Sequence, residues 1–304
     1  MKALVTGGAG YLGTELVRQL CKSPDVESVV VYDNLSRGCH ALFLGEQLGP
    51  NVELVQADIL DSRSLNKAVA GADVLFHLAG YVSAPHAHLD THVYEQVNHW
   101  GTAEVAAAFE RSSAERLIYI SSTSIYGDTL APATEQSRPN PRTSYCQSKF
   151  RGEQQVARLM NRRRVITLRL ANVYGYSDAM RFDAVINKFA FQARYNKHIS
   201  LHGTGKQERA FMHIDDTVAV LAQLRNAGVP SGTYNLGSNN CSVLELLDGF
   251  KAAIPELEFS FVDQHFELNS FSLGLDLEIA NYCCVPDKRL IVEELARLSN
   301  KLAF

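Results

Sequence analysis

Lys2-Ala3-Leu4-Val5-Thr6-Gly7-Gly8-Ala9-Gly10-Tyr11-Leu12-Gly13 is the stretch on which the fold turns. Lys2 to Val5 reads as a short buried strand, and Glu15 to Cys21 continues with helical periodicity. Between them, Gly7, Gly10 and Gly13 form a G-x-x-G-x-x-G turn. In a strand-turn-helix context such glycines serve a dinucleotide. Gly7 permits the tight turn, Gly10 lets the backbone approach a pyrophosphate, and Gly13 lets helix and strand pack closely. The pyrophosphate would rest on the N–H groups at the helix start. Glycines that only shape a loop are the plain alternative, weakened by the flanking strand and helix.

The next strand, Ser28 to Tyr32, ends in Asp33, twenty residues after Gly13. A carboxylate there accepts hydrogen bonds from the adenosine ribose hydroxyls and repels a 2′-phosphate, so it favours NAD over NADP. Asp33-Asn34 would also make a good turn, and Arg37 lies nearby. Strands and helices then alternate. Strands are expected at Val52–Gln56, Val74–Leu78, Leu117–Ser121 and Val165–Leu170, and helices at Ser62–Ala70, Asp90–Arg111 and Thr143–Arg162. The repetition predicts an α/β fold, a Rossmann-type doubly wound parallel sheet with its ligands at the carboxyl ends of the strands. Asp33, Asp58, Ala79, Ser122 and Asn172 all fall at such ends. Residues 1–175 are read as the nucleotide-binding domain, to which later segments return. Residues 176–304 are read as mainly a smaller α/β substrate lobe.

Tyr145 and Lys149 stand four apart in a predicted helix, so they share a face. An ammonium beside the phenol would favour phenolate and lower a pKa normally near 10. That would make Tyr145 an acid/base at neutral pH.

Net charge of −4 and 46% hydrophobic residues give no electrostatic case for nucleic acid or a membrane surface. No apolar run is long enough to span a bilayer, and the first strand leaves no room for a signal peptide. Cys21, Cys39, Cys146, Cys241, Cys283 and Cys284 show no metal spacing and read as free thiols of a cytoplasmic protein. His86, His88, His92 and His99 crowd one segment, but a loop-to-helix segment rarely presents all four inward, so solvent exposure or substrate contact is expected there and no metal. Arg162-Arg163-Arg164 reads as a solvated helix end.

The chain resembles the extended short-chain dehydrogenase/reductases of the sugar epimerase/dehydratase family, with a pattern similar to UDP-galactose 4-epimerases. The resemblance rests on Thr6 to Gly13, Asp33 to Gly38, Asp58-Ile59, His77 to Gly80, Asn98 with Gly101-Thr102, and Ser121 to Gly127. It continues through Tyr145 to Lys149 with Gly152-Glu153, Leu168 to Gly175, Arg209 to Asp216 and Asn235 to Gly237. It implies NAD held by Gly7, Gly10, Tyr11, Leu12, Asp33, Asn34, Asp58, Ile59, Leu78, Ala79, Gly80 and Asn98, with Tyr145 and Lys149. It implies Ser122, Tyr145 and Lys149 as the catalytic set, and Ser122, Thr123, Asn172 and Arg209 on the substrate, with Arg209 toward a diphosphate. The family's dehydratases carry Asp-Glu after the catalytic hydroxyl, and its decarboxylases a Glu two residues after it. Here Thr123-Ser124 follows Ser122, which points to epimerisation through a transient keto sugar. The alternatives are a net sugar ketoreductase or dehydrogenase, and a non-catalytic NAD-sensing protein, against which the intact catalytic set speaks. Relatives pair the helices near Asp90–Arg111 and Thr143–Arg162 in a dimer, so a homodimer is expected.

The resemblance fades after residue 250. No Lys or Arg lies between Gln264 and Asp287 to serve as a second phosphate ligand, leaving only His265. Pro286-Asp287-Lys288-Arg289 resembles a late family segment, but no closing helix is expected before Phe304.

Overall fold

The computed structural model describes residues 1–44, 48–49, 51–82, 91–129, 131–262 and 270–302. Strand β1 (Lys2–Thr6) passes through the glycine turn into helix α1 (Tyr11–Cys21), followed by β2 (Ser28–Asp33), β3 (Val52–Gln56), α2 (Ser62–Val69) and β4 (Val74–His77). A long helical segment consists of α3 (Thr91–Tyr94), π-helical turns over Glu95–Gly101, and α4 (Thr102–Arg111). Then come β5 (Arg116–Ser122), α5 (Ser144–Ala157) and β6 (Arg164–Leu170). The second half supplies β7 (Asn172–Tyr174), α6 (Val185–Phe191), β8 (His198–His202), β9 (Glu208–His213) and α7 (Ile214–Leu224). It ends with β10 (Gly232–Leu236), β11 (Asn239–Ser242), α8 (Val243–Ala253), β12 (Glu258–Val262) and α9 (Ile291–Lys301).

The main sheet has seven strands in the order β10-β6-β5-β4-β1-β2-β3, and each of its pairings is parallel. Strand order reverses between β1 and β4, so the glycine turn sits at the switch point where this class of fold binds ligands. Both faces are covered, as a parallel sheet requires. Ala3 and Val5 face one apolar cluster with Leu16, Val17 and Leu20 of α1. Leu4 faces the other, with Val105 and Phe109 of α4 and Val156 of α5. A third cluster joins Phe189, Ile199, Phe211, Leu246 and Phe250 in the second half. Strand β10 crosses back to extend the main sheet beside β6. The smaller sheets are β11-β9-β7 and β12-β8.

Two expectations need correction. The helix expected over Asp90–Arg111 is not regular: its middle widens into π-helical turns. Gly101 is pressed against Ile59, where an added Cβ would lie 2.4 Å from Cδ1. Thr102 Oγ1 donates back to the Asn98 carbonyl at 2.7 Å. Such a widened turn re-aims one side chain, here Asn98. The second correction is the closing helix, which is present as α9. Leu295 and Leu298 bury in the third cluster, and the Arg289 guanidinium, just before the helix, makes two 2.7 Å bonds to Asp216. Among the described residues no helix is long and apolar enough to cross a membrane.

Candidate active site

The glycine turn is shaped by contacts that exclude any side chain. Gly7 has φ +71°, and a Cβ there would lie 2.6 Å from the Ala79 nitrogen. A Cβ on Gly13 would lie 2.2 Å from the Gly7 oxygen. Gly10 differs, because its Cβ would meet only the Gly7 oxygen, at 3.2 Å. Backbone is thus open at Gly10, next to the first N–H groups of α1, which suits an anionic pyrophosphate. Asp33 stands over this turn. Its Oδ2 accepts from Ala9 N at 3.0 Å and its Oδ1 from Leu35 N at 2.8 Å. It therefore forms the turn and faces the cradle at once. Beside it, Asn34 Nδ2 donates to Asp58 Oδ2 at 2.8 Å, and Leu60 N to Asp58 Oδ1 at 2.9 Å. The carboxyl ends of β2 and β3 thus carry the polar rim expected for an adenosine. The donor set and the bare glycine backbone fit a dinucleotide.

Two residues expected at the cofactor act from behind it. The Tyr11 side chain is buried, and its hydroxyl donates to the Gly175 carbonyl at 2.7 Å. It leaves only its backbone N–H for the pyrophosphate. Asn98 is also buried; its amide accepts from Tyr81 N at 2.8 Å and donates to Tyr81 O at 3.0 Å and Ser148 Oγ at 3.1 Å. It pins the chain leaving β4 to α5, and so sets where Leu78, Ala79 and Gly80 lie. A polar chain through His77 supports this. Thr102 gives its one hydroxyl proton to the Asn98 carbonyl, so it accepts from His77 Nε2–H at 3.0 Å. His77 Nδ1 then accepts from Thr6 Oγ1 at 2.7 Å, and Thr6 Oγ1 accepts from Ala79 N at 3.4 Å. Burial, with Lys149 nearby, pushes the His77 imidazolium down to about 3, so the ring is neutral. His77 belonged to a recognised motif, but its role could be read only from this three-dimensional chain.

The catalytic candidates converge where α5 starts beside the end of β5. Thr143 caps α5 by accepting from Cys146 N at 3.2 Å, which fixes the first turn bearing Tyr145. The Tyr145 ring packs edge-on against buried Tyr94, with centroids 5.9 Å apart. Ser122 acts on the phenol from β5 and donates to Ser124 Oγ at 3.1 Å. The electrostatics reverse the expectation for Tyr145. Burial pushes its phenol up to about 12; Cys146 adds to the rise, while Arg181 and Ser122 oppose it. Lys149 is engaged elsewhere. Its Nζ donates to the Ile120 carbonyl at 2.6 Å, 4.8 Å above the Tyr119 ring, and would lie 3.6 Å from a Cβ on Gly80. Burial pushes Lys149 down to about 8, opposed by Glu153. Sharing a helix face puts the two side chains on the same side without pointing one at the other.

The substrate candidates divide. Thr123 is 1% exposed, and its hydroxyl donates to the Leu170 carbonyl at 3.2 Å, so it ties β5 to β6 instead of facing a substrate. Asn172 Nδ2 donates to the Ala210 carbonyl at 3.1 Å, which leaves its oxygen as the available group. Arg209 lies 6.0 Å over the Phe271 ring, and its field reaches Cys146, next to Tyr145. His92 is exposed, His99 pairs with Glu95 at 3.0 Å, and His86, His88 and His265 lie outside the described residues. Asn187 carried no recognised motif, yet its buried amide donates to the Tyr11 hydroxyl at 3.2 Å behind the glycine turn.

These features are those of one enzyme family. The model of the NAD dependent epimerase/dehydratase family matches residues 3–237. The chain belongs to this family. Its cofactor is accordingly NAD, and the glycine cradle fits it. A dTDP-D-glucose 4,6-dehydratase from Bos taurus is 29% identical over 253 residues, 81% of this chain and 70% of that protein. A putative UDP-glucose 4-epimerase from Methanocaldococcus jannaschii is 29% identical over 287 residues, 91% of this chain and 90% of the relative. A UDP-glucuronic acid 4-epimerase variant from Bacillus cereus, solved with a UDP-4-deoxy-4-fluoro-glucuronic acid and NAD, superposes with a TM-score of 0.90. It is 21% identical, and the match covers 99% of this chain and 98% of that one. Relatives in this family thus carry out more than one reaction.

Proposed function

We propose that this protein is an NAD-dependent epimerase of a nucleotide-linked sugar, working through a transient keto sugar. The observation that carries the reading is that the residues after Ser122, and the groups acting most strongly on Tyr145, include no carboxylate. Dehydratases and decarboxylases of the family need a carboxylate just after the catalytic hydroxyl. Here Thr123-Ser124 follows Ser122, and the groups acting most strongly on the phenol are Cys146, Arg181, Ser122 and Tyr94, none of them a carboxylate. No carboxylate stands among those groups to expel water or promote loss of CO₂ from a keto sugar.

Bound NAD⁺ supplies hydride acceptance and return. Tyr145 removes and returns the sugar hydroxyl proton while Ser122 hydrogen-bonds the same oxygen. Ser124 orients the Ser122 hydroxyl. Lys149 stands beside Gly80 for the nicotinamide ribose, and Asp33, Asn34 and Asp58 hold the adenosine end. Arg209 takes the substrate diphosphate, and Asn172 borders the sugar. The protein acts as a cytoplasmic homodimer paired through the helical segment 91–111 and α5, where Trp100 is 58% exposed.

The test is mass spectrometry of what co-purifies, followed by UDP- and dTDP-hexose assays of the wild type and Tyr145→Phe. Interconversion of two epimers without net NADH, lost by the roughly 10²–10⁴-fold typical of acid–base catalysis in Tyr145→Phe, is the expected result. Net NADH formation would instead mark a dehydrogenase, and a deoxy keto product a dehydratase.

A further inference from the structure

Tyr11 is the first residue of α1, and its side chain is gripped from behind by a segment 164 residues away in the chain. Its hydroxyl donates to the Gly175 carbonyl at 2.7 Å and accepts from Asn187 Nδ2 at 3.2 Å. Asn187 Oδ1 accepts from Gly175 N at 3.1 Å, and Nδ2 also donates to the Arg181 carbonyl at 3.1 Å. Both amide protons and the amide oxygen are thus in use. Asn187 is fully buried and Tyr11 nearly so, which keeps water from competing for these bonds. Burial holds the Tyr11 phenol above its ordinary pKa, so the hydroxyl keeps its proton and its role as donor. The anchor is itself confined: Gly175 has φ +120°, and a Cβ there would lie 2.7 Å from His213 Nε2. Two further bonds join the same segment to α1, Ser177 Oγ to Glu15 Oε1 at 2.7 Å and Arg18 Nη2 to Asp178 Oδ2 at 2.5 Å.

We propose that Asn187 is a positioning residue for the cofactor: acting through the Tyr11 hydroxyl, it fixes the first turn of α1 and so sets how tightly the pyrophosphate of NAD is held. That role rests on the reading of the glycine turn as the pyrophosphate cradle. The glycines of the turn have no side chains by which the backbone could be braced. Between Gly10 and Gly13 stand only Tyr11 and Leu12, and of the two Tyr11 carries the polar handle. A row of N–H donors holds an anion best when it is fixed before the ligand arrives, because no ordering remains to be done on binding. Asn187 and Gly175 supply that fixation from the far side of the turn, leaving the open side at Gly10 clear.

The test is titration of nucleotide-free protein with NAD, ADP-ribose and adenosine, in the wild type, Asn187→Leu, Tyr11→Phe and the double variant. Asn187→Leu is close in shape but has no hydrogen-bonding group. It should weaken NAD and ADP-ribose by about tenfold, the scale of one buried hydrogen bond lost, while adenosine, which meets only the Asp33 and Asp58 rim, binds as before. Tyr11→Phe should do the same from the other end of the bond. The double variant should bind NAD no more weakly than the worse single one, because both changes act through one contact. The Ser177 and Arg18 bonds still hold the segment on α1 in these variants. Should Asn187→Leu fail to fold, Tyr11→Phe decides the question. Unmoved NAD affinity in either variant, or an equal loss for adenosine, overturns the proposal. Gly10→Ala checks the premise, since its methyl would enter the open side of the cradle. NAD affinity that survives Gly10→Ala removes the cradle reading; affinity lost there but unmoved in Asn187→Leu removes only the role of Asn187.

Discussion

Replacing Lys149 with methionine should make the protein's stability respond to pH in a defined way. Lys149 is 5% exposed, and its pKa is pushed down from 10.5 to about 8 by burial. That gap, at 1.36 kcal/mol per unit, amounts to about 3 kcal/mol of penalty for holding a charged Lys149 in the folded state. The sign follows from proton counts. Below pH 8 both states carry the proton, and the penalty is constant. Between pH 8 and 10.5 the folded state sheds it first, so the unfolded state binds more protons and stability rises with pH. Above 10.5 both are neutral and the penalty is gone. Methionine keeps the apolar stem but never charges, and it leaves the Ile120 carbonyl without its donor, a loss of about 1–3 kcal/mol at all pH values. Lys149→Met should therefore be close to neutral at pH 7 and destabilising by about 1–3 kcal/mol at pH 10.5. Urea unfolding of nucleotide-free protein at half-unit steps from pH 7 to 10.5 measures this. A wild-type-minus-variant difference that stays flat across that range would mean Lys149 is not a strained buried cation.

Two further outcomes follow from buried or site-facing charges. Arg169 and Glu153 form a two-pronged ion pair at 2.8 and 3.0 Å, and both are nearly fully buried. Glu153→Gln strands the guanidinium and should destabilise by about 3–5 kcal/mol in urea unfolding, much of it recovered by adding Arg169→Met; a loss below 1 kcal/mol would contradict this. Arg209→Ala should weaken UDP-hexose binding by about 2–5 kcal/mol in calorimetric titration while NAD affinity stays put. An unaltered UDP-hexose isotherm would exclude Arg209 from the diphosphate.

Much of the architecture was legible in the residues because its signals are local. The glycine turn is signalled by its own spacing: Gly7 takes a positive φ, which glycine adopts without strain, and Gly13 must admit the Gly7 carbonyl, 2.2 Å from where a Cβ would lie. Strand ends bearing Asp33, Asp58 and Ser122 were readable because alternation and turn chemistry are local patterns. Helix α9 was readable too. Ile291, Leu295, Leu298 and Leu302 repeat at helical spacing, and the expectation of no closing helix came from an absent motif instead of that periodicity.

Other properties depended on where distant segments meet. Whether Lys149 faces Tyr145 or the Ile120 carbonyl depends on how α5 lies against β5, because helical spacing puts two side chains on one side without setting their rotamers. The direction of the Tyr145 shift followed from burial, which local sequence does not specify and which here outweighs every neighbouring charge. Thr123 turned inward because the end of β6 offered it a carbonyl. Asn187 reached the back of the cofactor turn because the segment after β7 folds onto α1, where its amide meets the Tyr11 hydroxyl 176 residues away in the chain. Residue types and spacing thus determined the sheet, the cofactor turn and the catalytic candidates. Tertiary packing decided which charges face which, since desolvation and hydrogen-bond partners arise only when elements remote in sequence close around a side chain.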